Sequence, residues 1–466
     1  MPSCYDVDIE QLTKRGVELG ADFVDVRCQE HFYELIEYDN GIVRNIGSTA
    51  STGLNLRVLV KGSAAYLATE ELSNDKIKSA IEKAIKLARS SANYSIKWDL
   101  AERPVTVGLA ESKYTIKPED IDLESKVDLL RYLNGILRSD QLTSIALRYG
   151  YERDRRFYAS SRGDRVECST RMVGVGMHLV AHVEGEYESL SDSASSTAGW
   201  EFVKQVDWEN YALERRKIVL ESTTAGRAKP GKYDVILDNE MVGVLLHEAF
   251  GHASEGDSII SHESILEGRM GEVVASDLVT IVDEGVVDGG AFVPYDDEGT
   301  PKKKTTIVKS GVLTSFLHSL DTAGKLEAEP TGNARAMSHR DPILVRQTNI
   351  YMEPRDWELN ELIRDTKRGI YIRAIGGGGG EVQPISGAFT FVSGPGYFIE
   401  NGELSRPIKS AILSGLILET LRNIDAVTRD FSIKTSVFGG CGKFGQVVRT
   451  GVGGSHVRVR NMTLGG

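Results

Sequence analysis

Cysteine is scarce. Cys4, Cys28, Cys168 and Cys441 are the only four in 466 residues, and no two form a C-x-x-C pair. So few argue against a disulfide framework and for a reducing, cytoplasmic setting. The first three fall in strand or terminal contexts and read as packing residues. Long apolar runs are missing too. No stretch of about 18 apolar residues occurs, so no membrane-spanning helix is expected. Residues 1–20 mix charged and apolar side chains and show no apolar core of a secretory signal. Positive charge is in the minority, with a formal net charge of -12. That argues against a general nucleic-acid binder, which needs a basic face to meet phosphate. The densest basic stretches, 153–156 and 302–304, are short and read as solvated loops.

Phosphate-binding signatures are also lacking. Five glycines at 376–380 are followed by no Gly-Lys-Ser/Thr, and Gly442-Lys443 runs into Phe444. Gly174-Val175-Gly176 lies within a strand pattern, without the helix that a dinucleotide fingerprint requires. No short-period repeat is present. What the chain does have is glycine, 48 residues of it. That excess points to turns and hairpins rather than a helical bundle.

A chain of this length exceeds one hydrophobic core, so two or three domains are expected. Ile9, Leu12 and Val17 mark a short amphipathic helix over 8–19. A strand follows at 23–38, then Asn40-Gly41, a strong two-residue hairpin signal. Further strands are expected at 42–46, 53–60 and 64–69. Ser73 is placed to cap a helix that carries Ile77, Ala80, Ile81, Ala84 and Ala88 on one face. Pro118 sits where another helix would open. Strands return at 143–149, 156–159 and 166–183, and a helix at 208–220 closes the second unit. From 228 onward, a strand at 233–237 leads into a helix at about 240–252, followed by apolar alternation between turns such as Ser310-Gly311 and Asn401-Gly402. The pattern reads as α+β: N-terminal units with antiparallel sheets at 1–98 and 99–227, then a mainly β C-terminal domain at 228–466.

His247-Glu248-Ala249-Phe250-Gly251-His252 is H-E-x-x-x-H on that last helix. Zinc binds neutral imidazole, and a carboxylate beside it can activate water. The familiar zincin spacing has two intervening residues besides the glutamate, placing its histidines about 40° apart. Here the extra residue opens the angle to about 140° on an ideal helix, too wide for one ion. The helix must therefore bulge or unwind by one residue, or end before His252. Gly251 makes this plausible, and π-bulges recur at functional sites. A third ligand is needed. Candidates are Glu255, Asp257, His262, His339, Cys441 and His456. Cys441 stands out because flanking glycines let the backbone bring its sulfur close. His178 and His182 share a strand face and read as polar surface. The acidic turn Asp296-Asp297-Glu298-Gly299 reads as a solvated hairpin end.

Several long segments resemble the TldD/PmbA family of metallopeptidases. They are 246–257, 296–301 (Asp-Asp-Glu-Gly-Thr-Pro), 330–333 (Pro-Thr-Gly-Asn), 397–402 (Tyr-Phe-Ile-Glu-Asn-Gly) and 441–446 (Cys-Gly-Lys-Phe-Gly-Gln), in the family's order. The resemblance implies that His247, His252 and Cys441 bind Zn2+ and that Glu248 is the general base. It implies the TldD type, which carries H-E-x-x-x-H, rather than the TldE (PmbA) type, which lacks it and is thought to be non-catalytic. It also implies hydrolysis of unfolded or extended peptides in an enclosed cavity, by a heterodimer with a TldE-like subunit or by a homodimer. Backbone groups of the glycine-rich runs, Gly377, Gly378 and Gly379 among them, would hold peptide by strand addition. The alternatives are a non-catalytic peptide-binding or scaffold subunit, and a metal-dependent hydrolase of non-peptide amides. No nucleic-acid or membrane partner is expected.

Overall fold

The computed structural model describes residues 3–94, 96–377 and 379–465. Asp8 caps α1 (Ile9–Glu18) by accepting the Gln11 N–H at 2.9 Å. β1 (Phe23–Asp39) and β2 (Ile42–Val60) form a long antiparallel hairpin whose turn, Asn40-Gly41, takes φ of 48° and 90°. Both values lie in the region that a two-residue hairpin turn demands. β3 (Ser63–Thr69) adds to β2. α2 (Asn74–Ser91) then buries the expected stripe of Ile77, Ala80, Ile81, Ala84 and Ala88, although Ser73 makes no side-chain cap bond. β4 (Val107–Glu111) precedes α3 (Leu123–Leu137), which is capped by Asp122 after a short turn at Pro118–Asp120. β5 (Leu142–Ser160), β6 (Arg165–Val183), β7 (Glu186–Ser196), α4 (Glu201–Gln205) and α5 (Trp208–Thr224) follow.

These seven strands form one sheet in the order β3-β2-β1-β5-β6-β4, with β7 also on β6. The segments 1–98 and 99–227 thus share a sheet, joined where β1 pairs with β5 from Asp25↔Ser160 to Asp39↔Ala146. Stretches expected as separate strands are continuous, because the polar residues between them alternate onto one face instead of breaking the strand. Val24, Val26 and Cys28 of β1 face the helix-covered core. Asp25, Arg27 and Gln29 are buried on the opposite, polar face. Cys4 and Cys28, expected only to pack, are joined as a disulfide with Cα atoms 5.8 Å apart. The N-terminal turn folds back on β1, where Glu30 accepts from the Ser3 hydroxyl and the Cys4 N–H. Cysteine spacing carries no sign of that return.

β8 (Gly231–Leu237) opens the C-terminal part, where it joins a nine-stranded sheet beside a second sheet of six strands. The chain leaves β8 directly into α6 (Asn239–Leu245), whose cap Asp238 accepts the Met241 N–H at 2.7 Å. Val242, Leu245, Leu246, Ala249 and Phe250 sit within the largest apolar cluster, so this helix is anchored through the core. The architecture is α+β, with a mainly β C-terminal part. Among the described residues, no helix is long and apolar enough to cross a membrane.

The acidic turn is not solvated. Asp296, Asp297 and Glu298 are all buried, Glu298 completely, where the polar sheet face meets the C-terminal part. Arg57 of β2 donates to Asp25 of β1 and, at 2.5 Å, to Glu298. Arg156 of β5 pairs with Asp154 at 2.8 Å and Asp297 at 2.6 Å. Of the basic stretches expected as solvated loops, 153–156 lies on β5, whereas 302–304 is a loop with Lys303 and Lys304 exposed and Lys302 turned inward onto Asp283 at 3.0 Å. The acidic turn looks solvated in the sequence because Arg57 and Arg156 lie far from it in the chain. Arg57→Met should destabilise the protein by roughly 3–5 kcal/mol, since Asp25 and Glu298 would stay buried without their cation. Urea unfolding of the variant measures this.

Candidate metal centre

The helix does gain its extra residue. Regular α6 ends at Leu245, a π-helical turn spans Leu246–Gly251, and a 3₁₀ turn covers His252–Ser254. The His252 N–H donates to the His247 carbonyl five residues back. That closure replaces the wide α-helical angle and sets the two side chains nearly in line. Their rings lie 5.1 Å apart, edge to face. Fully buried Gln347 steadies the turn, its Nε2 donating to the same His247 carbonyl at 3.1 Å. Gly251 is required here, because a Cβ at that position would overlap the Gln347 side-chain amide.

Cys441 arrives from the far end of the chain. It starts the strand Cys441–Lys443, which turns through Phe444 and Gly445 (φ of 47° and 78°) and pairs back as Cys441↔Val448. Buried Arg346 donates to the Cys441 carbonyl. The thiol Sγ lies 3.3 Å from His252 Nε2. One ligand atom each of His247, His252 and Cys441 lies within 4.8 Å of the others. Tetrahedral zinc holds such atoms about 3.3–3.8 Å apart, a spacing that the Cys441–His252 pair already meets.

The electrostatics couple the thiol to the two imidazoles. Burial would raise the Cys441 thiol, but His247 and His252, by charge and hydrogen bond, bring it down to about 4. Burial would lower His252, but Glu255 and Cys441 carry it well above its ordinary range. His247 Nδ1 is buried with no hydrogen-bond partner. A thiolate and two imidazoles, one of them with its Nδ1 unpartnered, form a donor set that fits Zn2+.

A second layer fixes the first. Glu255, fully buried, meets His252 Nδ1 at 3.1 Å, which leaves Nε2 directed at the sulfur. Lys443 Nζ donates to Glu255 and to both Asp257 oxygens, each at 2.8 Å. Lys443 lies two residues beyond Cys441, on the same side of its strand. One hairpin thus presents the thiol and holds the carboxylate that orients His252. Burial opposes ionisation of Glu255, yet His252 and Lys443 keep it at about 2.

Glu248 lines a cleft of about 250 Å³ with His247, Cys441, Gly439 and Gly440. Asp192 and Ser193 of β7, with Glu240 and Lys434, complete it; Lys434 meets Glu240 at 2.5 Å. Sequence reasoning missed these four residues. β7 reads Glu-Tyr-Glu-Ser-Leu-Ser-Asp-Ser-Ala-Ser-Ser, too polar for a strand pattern to show. Its following of a Gly185 turn after a clear strand was the available signal.

Other candidates lie elsewhere. Exposed His262 meets Glu267 at 2.6 Å. His339 is buried against Gly53, and His456 bonds Asp430 at 2.6 Å. His178 meets the Ser191 hydroxyl at 2.8 Å, and His182 stacks on Tyr187 at 4.1 Å. Neither Gly377 nor Gly379 is among the described residues lining the cleft. Gly377 closes a turn onto the Ala374 carbonyl at 2.7 Å, and Gly379 accepts from Val392. Gly378 lies outside the described residues.

Comparison with known proteins agrees along the whole chain. Residues 24–88 match the PmbA/TldA metallopeptidase domain 1, 116–225 the central domain and 230–466 the C-terminal domain. A metalloprotease of Methanocaldococcus jannaschii is 36% identical over 97% of this chain and 98% of its own. A zinc metalloprotease TldD homolog of Saccharolobus solfataricus is 27% identical over 97% and 98%. Among solved structures, TldE from Thermococcus kodakarensis superposes with a TM-score of 0.79 at 18% identity, covering 99% of this chain and 100% of that one. A Thermotoga maritima structure superposes with a TM-score of 0.80 at 21% identity over 98% of each chain. The chain belongs to the PmbA/TldD metallopeptidase family.

Proposed function

We propose that this protein is a zinc-dependent peptidase, the catalytic TldD-type subunit of its family. The observation that carries the reading is the convergence of His247, His252 and Cys441 beside Glu248. The zinc metalloprotease name of the Saccharolobus relative supports the choice of ion. His247, His252 and Cys441 would hold Zn2+ through two imidazole nitrogens and a thiolate. Bound there, the ion supplies Lewis acidity toward a scissile carbonyl and toward water. Glu248 takes the proton of the attacking water and returns it to the leaving amine. Glu255 keeps His252 in the tautomer that frees Nε2, and Lys443 keeps Glu255 ionised and in place.

The substrate in this reading is an unfolded or extended peptide, held in an enclosed cavity. Gly439 and Gly440 at the cleft leave room for a peptide backbone to approach and add as a strand. Gly377, Gly378 and Gly379 would extend that contact beyond the cleft. The working unit is a heterodimer with a TldE-like subunit or a homodimer, acting in the cytoplasm. The chain divides into units at 1–98, 99–227 and 228–466.

Glu248→Gln should retain its zinc and lose peptide turnover by about 10²–10⁴-fold; undiminished cleavage would remove Glu248 from the chemistry. Cys441→Ser should lower zinc content on elemental analysis, and full occupancy would reject the thiolate as a ligand. Lys443→Met should weaken zinc binding about 10–100-fold in a chelator competition. Wild-type affinity in that variant would mean that the Glu255 contact does not govern His252.

A further inference from the structure

A cavity of about 580 Å³ lies between the polar face of the N-terminal sheet and the loops of the C-terminal part. It is separate from the metal cleft, although the two share a wall. Gly440 and Cys441 line the cleft, while Val447, Val448 and Arg449 of the same hairpin line the cavity.

The carboxylates around it are all engaged. Glu152 meets His31 at 2.8 Å and Arg449 at 2.6 Å. Asp154 and Asp297 both hold Arg156. Asp296 accepts the N–H groups of Glu298, Thr300 and Ala334. Two guanidinium groups in the lining have no such partner. Arg27 is 6% exposed and donates only to the Asp341 carbonyl, at 2.7 Å. Arg335 is 9% exposed and donates only to the Gln347 carbonyl, at 2.8 Å. Neither forms an ion pair with a carboxylate among the described residues. Burial draws the Arg335 guanidinium down to about 10; Arg156 adds repulsion, which Asp297 and Asp283 offset only in part.

A buried guanidinium with no carboxylate in direct contact is costly, and proteins avoid it unless something compensates. Each of these two arginines uses one of its five donors on protein. The donor fork of a guanidinium matches a planar oxyanion. The volume falls in the range of small-molecule sites and exceeds what a simple inorganic anion fills. Met172, Phe292 and Val293 add apolar wall for the rest of a ligand. We propose that this cavity binds a small organic carboxylate, of amino-acid to dipeptide size, through Arg335 and Arg27. The inference is independent of the zinc chemistry.

The test is calorimetric titration of the full-length protein with N-acetylated dialanine, with its C-terminal amide and with inorganic phosphate, each at millimolar concentration. The acid should bind, the amide should not, and phosphate should bind at least about tenfold more weakly. Arg335→Met should bind the acid at least about tenfold more weakly. Arg335→Lys retains the charge, loses the fork and should also lose about tenfold, which covers a Met variant that does not fold. No binding of the acid by wild type would overturn the proposal. So would equal binding of acid and amide, phosphate binding as tightly as the acid, or undiminished binding in the folded variants.

Discussion

One backbone hydrogen bond decides whether His247 and His252 can face a common point. The His252 N–H reaches the His247 carbonyl five residues back, not the carbonyl four back that a regular helix would use. With the regular bond, the imidazoles would diverge by about 140°. With the longer one they face the same point, and Cys441 meets them there. The cost of the irregular turn is offset locally. Gln347 fills the widened carbonyl's second acceptor position, and Gly251 leaves room for it. Leu246, Ala249 and Phe250 fasten the turn into the apolar core on its other sides. The π turn is therefore held by packing and by a buried amide.

The third donor reaches the helix through charge. Lys443 bridges Glu255 and Asp257, which follow the helix, and it lies on the strand that begins with Cys441. The sulfur, the carboxylate and the second imidazole are thereby fixed relative to one another. A similar logic works at larger scale. Arg57 and Arg156 tie the polar sheet face to Asp297 and Glu298, and so hold the N-terminal sheet over the C-terminal part. β7 of that sheet supplies Asp192 and Ser193 to the cleft, so the cleft depends on this docking.

Much of this was legible in the chain. H-E-x-x-x-H stated its own geometric conflict, and of the resolutions open to it, a bulge, an unwinding or an early end, the chain takes the π turn. Asn40-Gly41 and the apolar stripe of α2 were equally readable, because both are local. What escaped was non-local. The Cys4–Cys28 link depends on a chain return with no local mark. The acidic turn looked solvated because its partners lie far off in the chain; Glu298 and Arg57 are separated by 241 residues, Asp297 and Arg156 by 141. β7 escaped because its serines and acids carry no apolar alternation. Gly377 and Gly379 illustrate the converse: a glycine run suggests ligand contact, while Gly377 here closes a turn.

The central claim is that two imidazoles and one thiolate share a single ion. X-ray absorption at the zinc edge, on protein purified without chelator, addresses it directly. The account predicts two imidazole nitrogens at about 2.0 Å and one sulfur at about 2.3 Å. A shell without sulfur, or with a single imidazole, would contradict it.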